Sequence, residues 1–187
     1  MASRDPADLH PRLLVAWRIL EHEARTGRLR DVERLFLTAT YRSAEEQRRA
    51  YDAGRSRYDG TRHFSLHQFR PALAMDVCVD PDGEDKASWE SHLYVPLGAF
   101  CRQHSLGWGG WWRGLVDRPH IEIGRVERTT IVQTMLHALG LYGDPIDGAW
   151  GSGTAAAMRT FQRRRNLDPT GTLHPPAWAA LWTETHG

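Results

Sequence analysis

Read for its apolar positions, the chain has two stretches of different texture. Leu13, Leu14, Trp17 and Leu20 recur at the period of one helix face, and Gly27 supplies a stop. Leu35-Phe36-Leu37-Thr38-Ala39-Thr40-Tyr41-Arg42 is short, β-branched and aromatic, and predicts a strand. Ser43-Ala44-Glu45-Glu46 is a capping box, so a helix is expected from there to Gly54. A polar loop from Arg55 to His63 precedes a second strand, Ala74-Met75-Asp76-Val77-Cys78-Val79, closed by the turn Asp80-Pro81-Asp82-Gly83. Trp89 to His104 is helical in pattern, with Pro96 expected to kink it or to mark its true start. His120-Ile121-Glu122-Ile123 alternates as a third strand. Helices and strands mixed without a regular βαβ alternation predict an α+β fold, a small antiparallel sheet with flanking helices.

Beyond Gly124 the strand signals stop. Three helical patterns follow, separated by Gly, Pro and Asp turns. Val132, Met135, Leu136 and Leu139 share a face of the first. Thr154 reads as the cap of the second, which carries Met158, Phe161 and Gln162. Pro175 opens the third, with Trp178 and Leu181. The connecting segments Asp144-Pro145-Ile146-Asp147-Gly148-Ala149-Trp150 and Asp168-Pro169-Thr170-Gly171-Thr172-Leu173 resemble each other, the mark of a small pseudo-symmetric three-helix module. The expected domains are 1–126 and 127–187, joined by a short charged link.

Composition narrows the classes. With 24 Lys+Arg against 23 Asp+Glu, the formal net charge of +1 argues against binding nucleic acid or an anionic membrane by bulk electrostatics. Arg163-Arg164-Arg165 fits a solvated helix end, where cations complement the helix dipole, better than a nucleic-acid patch. No apolar run approaches the roughly 20 residues that span a bilayer, so no membrane insertion is expected. Met1-Ala2-Ser3-Arg4-Asp5-Pro6 lacks the pattern of a Sec signal peptide, so synthesis in the cytoplasm is expected. Cys78 and Cys101 sit among apolar neighbours and read as buried free thiols.

Candidate chemistry concentrates in two segments. His67, in a loop, is followed nine residues later by Asp76, in a strand whose neighbours are all apolar. An ionised carboxylate there needs a cation or a network of donors. In Asp117-Arg118-Pro119-His120-Ile121-Glu122, His120 opens a strand. Two imidazoles and one carboxylate with an open fourth position are the ligand set of a catalytic zinc site. Zinc lowers the pKa of a water to about 7, and Asp117, three residues before His120, can take the proton. The spacing alone leaves a blander alternative open: a turn-capping Asp117, a satisfied His67 and an ion-paired Asp76.

The segment Ser65 to Asp76 resembles the Ser-x-His…Ala-x-Asp motif of the VanY-like branch of the LAS zinc metallopeptidases, which comprises D-alanyl-D-alanine carboxypeptidases and L-alanyl-D-glutamate endopeptidases. Asp117 to Glu122 resembles the family's Asp-x-Pro-His-aromatic-Glu signature. Tyr41-Arg42-Ser43-Ala44-Glu45-Glu46-Gln47, Gly54-Arg55-Ser56 and Trp108-Gly109-Gly110 match further family segments, in the right order. The resemblance implies His67, Asp76 and His120 as Zn2+ ligands and Asp117 as general base. It implies Arg42 as the cation facing the substrate carbonyl, with Gln47 and Ser65 lining the site. Three departures stand out. The His67–Asp76 interval is two residues longer than the common pattern, Trp111 stands where an Asp often follows Trp-Gly-Gly, and Ile121 replaces the usual aromatic. His63 lies close to His67 in sequence but is not taken as a ligand.

The C-terminal module resembles the three-helix peptidoglycan-binding domain through Leu139 to Gly143, Asp147 to Gly151, Thr154, Phe161-Gln162, Gly171 to Leu173 and Trp178. Together the resemblances imply a peptidoglycan hydrolase of endolysin type, cutting the stem peptide at the L-Ala-D-Glu bond. It would act at the bacterial cell wall and reach it with the help of a separate membrane-permeabilising holin. The alternatives are a D,D-carboxypeptidase or endopeptidase of the same family and a non-catalytic wall-binding protein.

Overall fold

Amphipathic spacing builds the first helix, α1 (Pro11–Arg25), which buries Leu13, Ala16, Trp17, Leu20 and Ala24. The computed structural model describes residues 2–187. It is an α+β fold whose strands form one four-stranded antiparallel sheet: β1 (Arg34–Ala39), β2 (Ala74–Asp80), β3 (Leu106–Trp108) and β4 (His120–Ile123), in the order β1-β2-β4-β3. The Ser43 capping box is present with both of its hydrogen bonds and opens α2 (Ala44–Asp52). Helix α3 (Val95–Gln103) carries Pro96 in its first turn, where a missing N–H costs nothing. Pro96 therefore marks the start of that helix, and Ser91–Tyr94 before it forms only a short 3-10 turn.

Strand β3 escaped the sequence reading. It is three residues long, with a glycine at its centre, too short to show an alternation. It matters because it seats Trp108, whose indole N–H donates to the Arg118 carbonyl at 2.7 Å and holds the loop leading into β4.

Met75, Val77, Cys78 and Val79 of β2 are all fully buried, so both faces of this strand are covered. Asp76 lies directly opposite His120 on β4 and pairs with Ala39 on β1. Residues opposite one another on adjacent strands share a face, which sets Asp76 and His120 side by side. Among the described residues no helix is long and apolar enough to cross a membrane.

The chain divides into two compact units at Ile123/Gly124. The second holds α4 (Arg125–Ala138), α5 (Ser152–Arg164) and α6 (Pro175–His186) around Leu136, Met158, Phe161, Trp178 and Leu181. Thr154 is not the cap of α5. That position is Gly151, and the buried Thr154 hydroxyl instead meets Gln133 Nε2 at 3.1 Å.

Candidate metal centre and active-site cleft

His67 reaches the site from a 3-10 turn, Leu66–Gln68, capped by Ser65. The loop that follows is longer than usual for the resembled family, yet it returns the chain to register. Leu73 N donates to Leu66 O at 3.1 Å, and Ala72 is bonded through its N–H to Asp8 O and through its carbonyl to His10 N. The additional residues are spent at the surface, where the Arg70 guanidinium stacks 3.9 Å from the Tyr41 ring centroid. The ligand candidates are not displaced by them.

His67, Asp76 and His120 each offer one ligand atom, and these atoms all lie within 4.8 Å of one another. His67 Nε2 is 3.1 Å and His120 Nδ1 3.0 Å from the same oxygen, Asp76 Oδ1. The other nitrogen of each ring is occupied: His67 Nδ1 is 2.8 Å from Thr40 O, and His120 Nε2 is 3.1 Å from Glu122 Oε2. A ring whose outer N–H is held by an acceptor turns its inner lone pair toward the centre, as a metal-ligating histidine does. Two imidazoles and a carboxylate, buried and converging without an apolar reason to do so, are a donor set that could hold a metal ion.

The electrostatics follow from this crowding. Burial works against the charge on Asp76, but the imidazoles of His67 and His120 prevail and hold its carboxyl well below the usual range. Burial likewise opposes the His120 imidazolium, yet hydrogen bonds to Asp76 and Glu122 push it up to about 10. Asp117, unlike Asp76, is shifted upward, raised by burial and by the negative charge of Asp76.

Asp117, Arg42 and Ser65 line the same cleft as the His-Asp-His group, a cavity of about 500 Å³. Arg42 Nη2 is 2.6 Å from Asp76 Oδ2, so Asp76 spends one oxygen on the histidines and the other on this guanidinium. Asp117 is set by the Trp-Gly-Gly segment. Its backbone N–H donates to Gly109 O at 3.0 Å, and a methyl group on Gly109 would collide with the Asp117 carbonyl. Trp112 closes the wall, its ring 4.9 Å from that of His120.

One expected site residue falls elsewhere. Gln47 is fully buried and does not line the cleft; its Nε2 donates to Ser56 Oγ at 2.7 Å and to Tyr58 O at 2.8 Å, so it braces the loop that does. Trp111 packs edge-on against Trp108 at 5.6 Å and lies under Arg102, away from the donor set. His63 stays on an exposed loop beside Asp59, 3.6 Å away. Sequence reasoning passed over the outer partners, Thr40 and Glu122. Glu122 was within reach, because residues two apart on a strand share a face. Thr40 acts through its carbonyl, which every residue has, so nothing in its side chain announces the role.

Residues 125–181 match the family model described as "Putative peptidoglycan binding domain". No curated protein matches the chain. Among solved structures, the chain is similar to the Serratia marcescens L-Ala D-Glu endopeptidase ChiX at 26% sequence identity and a TM-score of 0.48, over 66% of this chain and 89% of that one.

Proposed function

We propose that this chain is a peptidoglycan hydrolase, a zinc-dependent peptidase unit joined to a wall-binding unit. The observation that carries the reading is the convergence of His67 Nε2, His120 Nδ1 and Asp76 Oδ1, with Asp117 and Arg42 in the same cleft. The match of residues 125–181 to a peptidoglycan-binding family supports the cell wall as the place of action and peptidoglycan as the partner. For the bond itself, L-Ala-D-Glu is the reading favoured by the motif resemblance of residues 41–122.

His67, Asp76 and His120 would hold the zinc, whose ligand preference for imidazole and carboxylate they meet. Bound there, zinc supplies Lewis acidity, which acidifies water and polarises the scissile carbonyl. Asp117 is suited to the proton work: with its carboxyl raised above its ordinary value by burial and by Asp76, it takes a proton from the attacking water and returns it to the leaving amine. Arg42 offers a fixed cation beside the carbonyl oxygen, where negative charge develops in the transition state. Glu122 and Thr40 hold the two imidazoles in the ligating orientation. The C-terminal unit raises the local concentration of the peptidase on an insoluble substrate, so that weak contacts with the wall suffice.

The test is digestion of purified sacculi followed by mass spectrometry of the released fragments, with a chelator and with zinc restored. The expected result is chelator-sensitive release of fragments carrying a new D-Glu amino terminus. New ends elsewhere in the stem would keep the hydrolase and move the bond. Binding to sacculi without release, in the presence of zinc, would leave a wall-binding protein and sink the enzymatic reading.

A further inference from the structure

The cleft carries charge that the proposed bond cleavage does not use. Arg55, Arg57 and Arg113 line it in addition to Arg42, against only two carboxylates, Asp76 and Asp117. In a chain of net charge +1 this is a marked local excess of positive charge. Some exposed arginines elsewhere have acidic partners, Arg48 with Asp52, Arg34 with Asp85 and Arg165 with Glu184, whereas others, Arg62 and Arg163 among them, stand in solvent. What sets the cleft arginines apart is that they share one concave site. Among the described residues no carboxylate pairs with Arg55, Arg57 or Arg113.

The grouping is built from two distant parts of the chain. Arg57 and Arg113 belong to different loops, and the Arg57 guanidinium reaches the second of them: its Nη2 lies 3.1 Å from where a Cβ on Gly114 would stand. The loop presenting Arg55 and Arg57 is held from beneath by Gln47, through Ser56 and Tyr58. A buried amide thus fixes the backbone on which the exposed guanidiniums sit. Neither Arg57 nor Arg113 is part of the ligand set or within reach of its hydrogen bonds.

We infer that Arg57 and Arg113, with Arg55 beside them, form an anion subsite that takes a free carboxylate of the substrate peptide. Guanidinium and carboxylate match as forks, and two or three guanidiniums around one carboxylate select it over its uncharged amide. The inference rests on the peptidase reading and sharpens it. The preferred substrate is an acidic stem peptide, with a free α-carboxylate on the glutamyl residue beside the scissile bond, rather than one in which that carboxylate is amidated. Gln47 acts as a positioning residue for the subsite.

The experiment compares two soluble synthetic muropeptides, identical except that one carries the glutamyl α-carboxylate and the other the α-carboxamide. Both are assayed with the full-length zinc-loaded chain and with the double variant Arg57→Met/Arg113→Met. The wild-type chain is expected to prefer the acid in kcat/KM by about ten- to hundredfold, the range for hydrogen bonds to charged groups, mainly through KM. In the double variant this ratio should fall toward one, with zinc content and the far-UV circular dichroism melt retained. Added salt should erode the wild-type preference by screening. A ratio unchanged in the variant, or a wild-type chain with no preference, overturns the subsite. Should the wild-type chain cleave neither peptide, the peptidase reading fails by itself, and calorimetric titration of the same two peptides decides the subsite. Tighter binding of the acid, lost in the double variant, upholds it; equal binding of acid and amide refutes it.

Discussion

The two units both bury polar side chains, and they do so to opposite ends. In the C-terminal unit, Gln133 is fully buried and complete: its Nε2 faces Tyr142 Oη, Asp147 Oδ1, Ala149 O and Thr154 Oγ1 at 2.9–3.1 Å, and its Oε1 accepts from Gly148 N at 2.9 Å. Gln162 repeats the device in the second loop, facing Thr170 Oγ1, Thr172 O and His174 Nε2 and accepting from Gly171 N. Gly148 and Gly171 both have φ of +72°, which an L side chain rarely adopts, so each loop turns where its glutamine receives it. These are neutral amides, whose one charged partner is the Asp147 carboxylate, and they lock two turns and ask for nothing more. In the N-terminal unit, His67, Asp76 and His120 are buried as an ionisable group, with two rings converging on one carboxylate oxygen. Satisfied amides make a scaffold; converging ionisable groups make a place where a cation or a proton can be exchanged.

If that contrast is right, substitutions in the two units separate cleanly. The largest effect is expected at Asp117. Asp117→Ala should lower turnover of a soluble muropeptide by about 10²–10⁴, the usual worth of a general base, while metal analysis finds the zinc still bound. Hydrolysis unchanged by this variant would assign the proton work to another group. Next comes Gln133→Ala, which strands several buried partners. A loss of about 3 kcal/mol in the stability of the C-terminal unit is expected, at about 1 kcal/mol for each hydrogen bond left unmade. Sacculus binding should fall with it, while cleavage of the soluble peptide stays the same; equal loss of both would mean that the helical unit supports the cleft itself.

Glu122→Gln probes the outer shell of the donor set. It keeps the size but removes the charge that holds His120, so zinc affinity should drop by about 10- to 100-fold in a competition with a chromogenic chelator. An unchanged affinity would show that Glu122 is only a surface neighbour. The smallest effect concerns pH. Without metal, Asp76 and Glu122 keep His120 protonated up to about pH 10, so a metal ion must displace that proton. Apparent zinc affinity should therefore rise about tenfold per pH unit between pH 6 and 8, once corrected for the chelator. The metal-free fold has the opposite dependence. A histidine pKa raised from 6.5 stabilises fully below pH 6.5, and the contribution is lost as pH climbs through about 10. Affinity that is flat with pH would remove His120 from the ligands.

The local code accounts for much of this protein. Apolar spacing determined α1 and the three C-terminal helices, the Ser43 capping box determined α2, and the alternation in His120–Ile123 determined β4, because each depends on neighbours within a turn or two. The residue types that converge in the cleft were legible too, since His67, Asp76, Asp117 and His120 stand in recognisable segments. Tertiary structure alone decided that Asp76 lies opposite His120, because strand register depends on how β2 meets β4 across 44 residues of chain. It decided that Gln47 and Thr154 are braces, since a side chain's role depends on which loop packs over it. It also gathered Arg57 and Arg113, from separate loops, in the lining of one cleft. Those are long-range contacts, chosen by the packing of the whole unit, and no window of sequence contains both of their partners.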